Sequence, residues 1–450
     1  MMNRTRVLVW VLAGACTSAL VSTSSGITIA TNMIGVSMEL DREVRQAHQT
    51  QKAVIKVGLK GNDFDKALGR APVNLSIALD RSGSMTEAKL AKVKEAAVAA
   101  VRKLSAEDIF SLVVYAQNVD TIVPAQHVTN VDDIVARINA IGPTKGNTSL
   151  FGGISIAAHE IRANPDRKYV RRIILMSDGK ANAGPSGVDD MGRLAHALKK
   201  ENISVTTIGV GNDYNEDLMT ILASKSNGNT YYVQTTDDLP RIFTAELGDM
   251  LSVVAKNVNL SINCPAGVVP TGILNWDGKI QGQQITLGLN QLYGGQEKYA
   301  LVEVMIPQSQ ATGALEVANA VVSYDNAFTL TNEVSFNNAV QRFSQKPDEV
   351  ALSGNGTVQR DYYYNVKAMA QNKAIELADE GKILQAAEEL RRNGTMLRWN
   401  GAQNNDTQLI QAADEMEKQA DQIGQKGISP QARKALRADS FQIQSSQWSK

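Results

Sequence analysis

From about residue 70 to residue 254 the chain alternates short apolar runs with amphipathic stretches. No other feature restricts its fold as strongly. Val73–Leu79 (VNLSIAL), Ile109–Tyr115 (IFSLVVY), Arg172–Met176 (RIILM) and Ile203–Val210 (ISVTTIGV) read as buried strands, with Thr230–Val233 as a short edge strand. Between them, Glu87–Leu104 sets Leu90, Val93, Ala97, Val101 and Leu104 on one helical face. Val131–Ile141 reads as a short helix with Thr129 or Asn130 as its cap. Leu150–Ala163, Asp190–Glu201, Glu216–Ser224 and Leu239–Val254 read as further helices. Near-continuous apolar strands need cover on both faces, and the intervening helices supply it. The expected fold is therefore α/β, a doubly wound and mostly parallel sheet.

The flanks have a different period. Val258–Ile262, Ile285–Leu289, Tyr299–Val304 and Val317–Val322 are strand-like and separated by Gly, Asn and Pro, which predicts a small antiparallel sandwich over 255–343. The strand at Val54–Leu59, within 36–66, has no local partner. We expect it to join the sandwich, so that the α/β unit over 68–254 is an insertion. Residues 344–360, with Pro347, Gly354 and Gly356, read as a linker, and 361–450 as a helical region with a turn at Gly381. Leu377–Ala387 resembles one helix–turn–helix of a tetratricopeptide unit, and a single copy does not make an array. A chain of 450 residues has room for these domains at roughly 100–200 residues each.

The N-terminus bears on the compartment. Arg4 and Arg6 precede an apolar run, Val7–Ala15, and small residues follow it. That is the order of an export signal over about 1–30. An uncleaved membrane anchor and a lipid-modified Cys16 are the alternatives. The expected location is exported: periplasmic, cell-surface or secreted, with membrane contact only through such an anchor. No second run of 18 or more apolar residues follows, so a helical multi-span channel is not expected. Lys and Arg number 46 against 46 Asp and Glu, and no basic run stands out, which argues against nucleic acid as a partner. Two cysteines, Cys16 and Cys264, exclude a disulfide framework and cysteine-based zinc sites. Cys264 reads as a buried or half-buried sandwich residue.

The chemistry gathers at strand ends. Val73–Leu79 runs into Asp80-Arg81-Ser82-Gly83-Ser84, which delivers a carboxylate and two hydroxyls into one loop. Ligands of open α/β sheets bind at the carboxyl ends of the strands. Thr148, in Gly146-Asn147-Thr148-Ser149, and Asp178, in Met176-Ser177-Asp178-Gly179, are placed to join them. Two carboxylates and three hydroxyls without His or Cys select Mg²⁺, or Mn²⁺ or Ca²⁺, over Zn²⁺ or Cu²⁺. The plainer reading has Ser82 and Ser84 capping the next helix. Enzyme signatures fail. His159-Glu160 lacks the second histidine of H-E-x-x-H, since Ala163 stands there. Gly209-Val210-Gly211 lacks its third glycine, and no G-x-x-x-x-G-K-[ST] is present.

The five residues Asp80, Ser82, Ser84, Thr148 and Asp178 resemble the metal-ion-dependent adhesion site of von Willebrand factor A domains. The resemblance extends over about 68–254 and includes Gly209-Val210-Gly211 with Asn215-Glu216, and Gly228-Asn229-Thr230-Tyr231-Tyr232. The flanks resemble bacterial exported proteins of this type, some labelled calcium-activated chloride channel homologues. The resemblance implies that Ser82, Ser84 and Thr148 bind the cation directly, with Asp80 and Asp178 close by. It also implies that a protein partner offers an Asp or Glu to the ion. Loops carrying Met85, Glu87, Asn147 and Asn212 would set specificity. The expected function is binding rather than catalysis. The alternative is a structural or assembly component of a cell-envelope complex whose metal site only stabilises it.

Overall fold

The computed structural model describes residues 32–63, 69–308 and 313–446. The export-signal reading, Cys16 included, falls outside them. The chain opens with β1 (Ile34–Leu40), β2 (Val44–Gln46) and β3 (Gln51–Gly61). An α/β unit follows: β4 (Val73–Asp80), α1 (Glu87–Val101), β5 (Ile109–Tyr115), β6 (Val119–His127), α2 (Val131–Asn139), α3 (Leu150–Arg162) and β7 (Val170–Ser177). It ends with α4 (Val188–Lys200), β8 (Ile203–Val210), α5 (Glu216–Ser226), β9 (Thr230–Val233) and α6 (Leu239–Met250).

The sheet order is β6-β5-β4-β7-β8-β9. All its pairings are parallel except that of β6, an antiparallel edge strand that the apolar pattern misses. Val119–His127 buries little of its surface and carries Asp120, Pro124 and Gln126, so it has no strand signature of its own. Every residue of β4 and β8 is buried, as both-face cover requires. One face packs on α1, α2 and α6 through Leu90, Val93, Ile134, Ile138, Phe243 and Leu247. The other packs on α3, α4 and α5 through Ile154, Ile161, Met191, Leu198 and Leu222.

The sandwich continues as β10 (Val253–Asn263), β11 (Val269–Ile273), β12 (Gly278–Gln281), β13 (Gln284–Tyr293), β14 (Glu297–Ile306), β15 (Gly313–Asn326) and β16 (Asn332–Ser344). One sheet has the order β1-β3-β14-β11 and the other β12-β13-β10-β15-β16-β2. β3 lies between β1 and β14, antiparallel to both, so the α/β unit does interrupt the sandwich. β10 starts at Val253, within the span expected to be helical, because α6 stops at Met250. Cys264 is buried and free, and burial pushes its thiol up to about 11.

The segment 344–360 is a correction. It is not a linker, for α7 (Pro347–Ala351) and the start of α8 (Gly356–Asp379) lie within it. Asn355 caps α8 by accepting from the N–H groups of Thr357 and Val358, a signal that the glycines on either side obscured. Then come α9 (Ile383–Gln403), α10 (Thr407–Lys426) and α11 (Pro430–Gln444), with Gly381 at a φ of 78° in the turn before α9. Arg433 and Lys434 of α11 reach Glu216, and Arg433 and Arg437 reach Asp217, both acids at the start of α5. Among the described residues no helix is long and apolar enough to cross a membrane.

Candidate metal centre

β4 and β7 are hydrogen-bonded neighbours, so their carboxyl ends bring Asp80 and Asp178 to one place. The loop before α3 adds Thr148. Its N–H donates to Asn182 Oδ1 (2.6 Å), and its carbonyl accepts from the N–H groups of Asn182 and Ala183. All five expected site residues meet. Thr148 Oγ1 lies 3.0 Å from Ser82 Oγ, which lies 3.2 Å from Ser84 Oγ, and Ser84 donates to Asp178 Oδ1 at 2.7 Å. Asp80 accepts from the Ser82 N–H (2.8 Å) and from the Ser177 hydroxyl (2.7 Å). Asp80, Ser82, Thr148 and Asp178 are buried and Ser84 is half-buried.

The capping alternative fails here. Thr86 caps α1, its Oγ1 accepting the Lys89 N–H, while the hydroxyls of Ser82 and Ser84 face each other. Burial pushes the Asp80 carboxyl up, against its hydrogen bonds from Ser82 and Ser177, and the Asp178 charge adds to the rise. A cation between the two acids would relieve both effects.

Gly179 gives an independent test of fit. A Cβ there would stand 2.8 Å from Ser84 Oγ, 3.3 Å from Thr148 Oγ1 and 3.8 Å from Ser82 Oγ. The missing side chain leaves open the space on which the three hydroxyls converge. Hard oxygen donors around such a space fit Mg²⁺, Mn²⁺ or Ca²⁺. Among the described residues no cluster of three or more His, Cys, Asp or Glu is placed to hold a metal, so the hydroxyls are essential to this set.

The sequence did not point to Lys89. Its ammonium sits 2.6 Å from Asp178 Oδ2 and 3.4 Å from the Ser84 carbonyl. Spacing could have suggested it, since Lys89 stands one turn into the helix that the Ser82–Ser84 loop enters. Of the expected specificity residues, Glu87, Asn147 and Asn212 are exposed, and Asn212 accepts from the Tyr232 hydroxyl. Met85 is a correction. Its side chain is 2% exposed and belongs to the core under α1, because its loop turns inward there and leaves Thr86 and Glu87 outside.

The family model of the von Willebrand factor type A domain matches residues 74–245, which span this sheet and all five site residues. Residues 74–245 are a von Willebrand factor type A domain. The chain is 28% identical over 217 residues to the Escherichia coli K12 protein YfbK, covering 47% of this chain and 37% of YfbK. It is 24% identical over 282 residues to the Synechocystis protein sll0103, covering 60% of this chain and 65% of that protein. The chain thus spans between about a third and two thirds of these relatives. A solved von Willebrand factor type A protein from Catenulispora acidiphila superposes with a TM-score of 0.67 at 14% identity, over 85% of this chain and 91% of that one. That likeness extends the shared fold well beyond the type A domain itself.

Proposed function

We propose that this protein is an exported binding module that docks an acidic side chain of a partner protein on a divalent cation held at Asp80, Ser82, Ser84, Thr148 and Asp178. The observation that carries the reading is the convergence of three hydroxyls and two buried carboxylates on the space beside Gly179. Neutral hydroxyls offset little of the ion's charge, so the bound ion would supply a strong positive centre for an incoming carboxylate. Mg²⁺ suits this role because it keeps exchangeable water, and Mn²⁺ or Ca²⁺ could take its place. The chain's own part is to fix the donors. Asn182 holds Thr148, Ser177 holds Asp80, and the β4–β7 pairing sets their separation.

Exposed Glu87, Asn147 and Asn212 stand on the surrounding loops, where they would select the partner. The reading is of recognition, not catalysis, and export rests on the basic-then-apolar N-terminus. Calorimetry with Mg²⁺, Mn²⁺ and Ca²⁺ on the purified protein, beside Asp80→Ala and Thr148→Ala, tests the metal site. Saturable binding lost in both variants is expected, and equal binding by wild type and Asp80→Ala would overturn the reading.

One observation favours the second reading, assembly into an envelope complex. Phe336 is 81% exposed on β16, directly across from exposed Val321 on β15, with Val334 and Val340 along the same face. An apolar stripe of this kind suits a protein contact away from the ion. If assembly rests on it, Phe336→Lys abolishes association while Asp80→Ala leaves it intact.

A further inference from the structure

A cavity of about 370 Å³ lies where the α/β unit, the sandwich and α11 meet. It sits beside the C-terminal end of α4 and the segment entering β9, at the end of the sheet opposite the metal centre. Its wall includes Leu274, Trp276, Leu289 and Phe441, which give it an apolar side. Three lysines, Lys199, Lys225 and Lys298, also line it, against a single carboxylate, Asp277. Asp277 pairs with Lys225 and also acts on Lys199, while Asp249 and Glu246 act on Lys298 from outside the wall, so among the lining residues themselves the lysines outnumber the carboxylate. In a chain whose formal charges cancel, this is a local concentration of one sign inside a partly closed space.

Lys298 is the telling residue. It projects from β14 and is densely enclosed by protein, yet part of its surface still reaches the cavity. Its ammonium donates to the Ser445 carbonyl, an acceptor that carries no formal charge. Burial pushes its pKa down to about 8, and burial likewise lowers Lys199. A gap left by imperfect packing is ordinarily apolar and dry. Desolvated lysines and aromatic side chains lining one cavity are features of a ligand pocket, and domain junctions are where such pockets occur.

We infer that this junction cavity binds a small amphipathic organic anion, its apolar body against Trp276 and Phe441 and its acidic group between Lys199 and Lys298. Such a ligand touches all three parts of the molecule, so its binding would fasten the sandwich and α11 to the α/β unit. The site is separate from the metal centre and does not depend on it.

The probe is 8-anilinonaphthalene-1-sulfonate, which combines an aromatic body with one sulfonate. Titrated against the folded protein in EDTA, it should bind saturably with one equivalent and take up energy from tryptophan. Trp276→Phe should remove most of that transfer, since Trp276 is in the wall. Lys298→Met and Lys199→Met should each weaken binding about tenfold or more, the usual effect of losing a hydrogen bond to a charged group. Lys200→Met, an exposed neighbour at the end of α4, should bind as wild type does. Circular dichroism establishes that each variant is folded, and Lys199→Met decides the matter if Lys298→Met does not fold. No saturable binding, or unchanged affinity in the folded lysine variants, overturns the inference.

Discussion

Among the described residues Arg172 is the largest fully buried side chain, and replacing it with methionine tests how the α/β unit is fastened to the sandwich. Its Nη1 donates to Glu246 Oε2 at 2.9 Å, and its Nη2 donates to Gln291 Oε1 at 2.7 Å and to the Tyr293 hydroxyl. Arg172 lies on β7, Glu246 on α6, and Gln291 and Tyr293 on β13, so one guanidinium ties three elements together. Glu246 also accepts from Thr206 at 2.7 Å, from Asn229 at 2.5 Å and from Tyr231 at 2.6 Å. Breaking a buried ion pair from one side costs about 3–5 kcal/mol, because the other charge stays behind. The three remaining donors to Glu246 place Arg172→Met at the lower end, about 3 kcal/mol. In urea, with a slope of about 3 kcal/mol/M for a protein of this size, the unfolding midpoint should fall by about 1 M. Glu246→Gln supplies the internal control. In the wild type it turns an amide NH₂ toward groups that already donate, and it should destabilise. Added to Arg172→Met it removes the orphaned charge, and it should recover about 1–2 kcal/mol. A loss below about 1 kcal/mol for Arg172→Met, or a Glu246→Gln effect of the same sign in both backgrounds, would refute the reasoning.

Three further outcomes follow from the geometry. Gly179→Ala should weaken Mn²⁺ binding about tenfold or more in calorimetry, because its Cβ would press on Ser84 Oγ, while unfolding in EDTA stays nearly unchanged. Lys89→Met should raise cation affinity about threefold to tenfold by removing a competing ammonium from Asp178, its partial exposure limiting the gain; equal or weaker binding would count against it. Burial alone would raise Asp108, but the Arg70 guanidinium and the N–H groups of Ser105 and Val73 outweigh it and hold the carboxyl below its usual range. A depressed folded-state pKa gives stability that is present above the unfolded value of 3.8 and lost as pH falls through the folded one. Asp108→Asn should therefore lower the urea midpoint at pH 7 and flatten the acid limb below about pH 4, and an unaltered acid limb would exclude this role.

Much of the site was legible because its chemistry is local to strand ends. An apolar strand running into Asp80-x-Ser-x-Ser fixes both where the loop lies and which atoms it offers, and Ser177-Asp178-Gly179 does the same at the next strong strand. Lys89 was legible only as a residue near the site loop, since one lysine on a charged helical face looks like any other until the fold aims it at Asp178. Met85 misled for the same reason. It follows the site loop directly, but its orientation depends on how the chain turns into α1, and the core took it. The edge strand β6 lacked an apolar signature because an edge needs none.

The order of residues was enough to settle the class of the α/β unit, since strand period and helix period record which faces must be buried. It also determined the donor set, since residue types carry their own ligand chemistry. The folded chain alone settles what long-range pairing controls. It set the place of β3, a strand already expected in the sandwich, between β1 and β14. It sank Arg172 into a network drawn from five elements, where an arginine within a short apolar run gave no hint of its partners. It docked Arg433, Lys434 and Arg437 against Glu216 and Asp217, more than two hundred residues earlier. The reason is physical. Periodicity records the environment of a residue, whereas the identity of a distant partner depends on loop closure and on the register of surfaces that meet only in the folded chain.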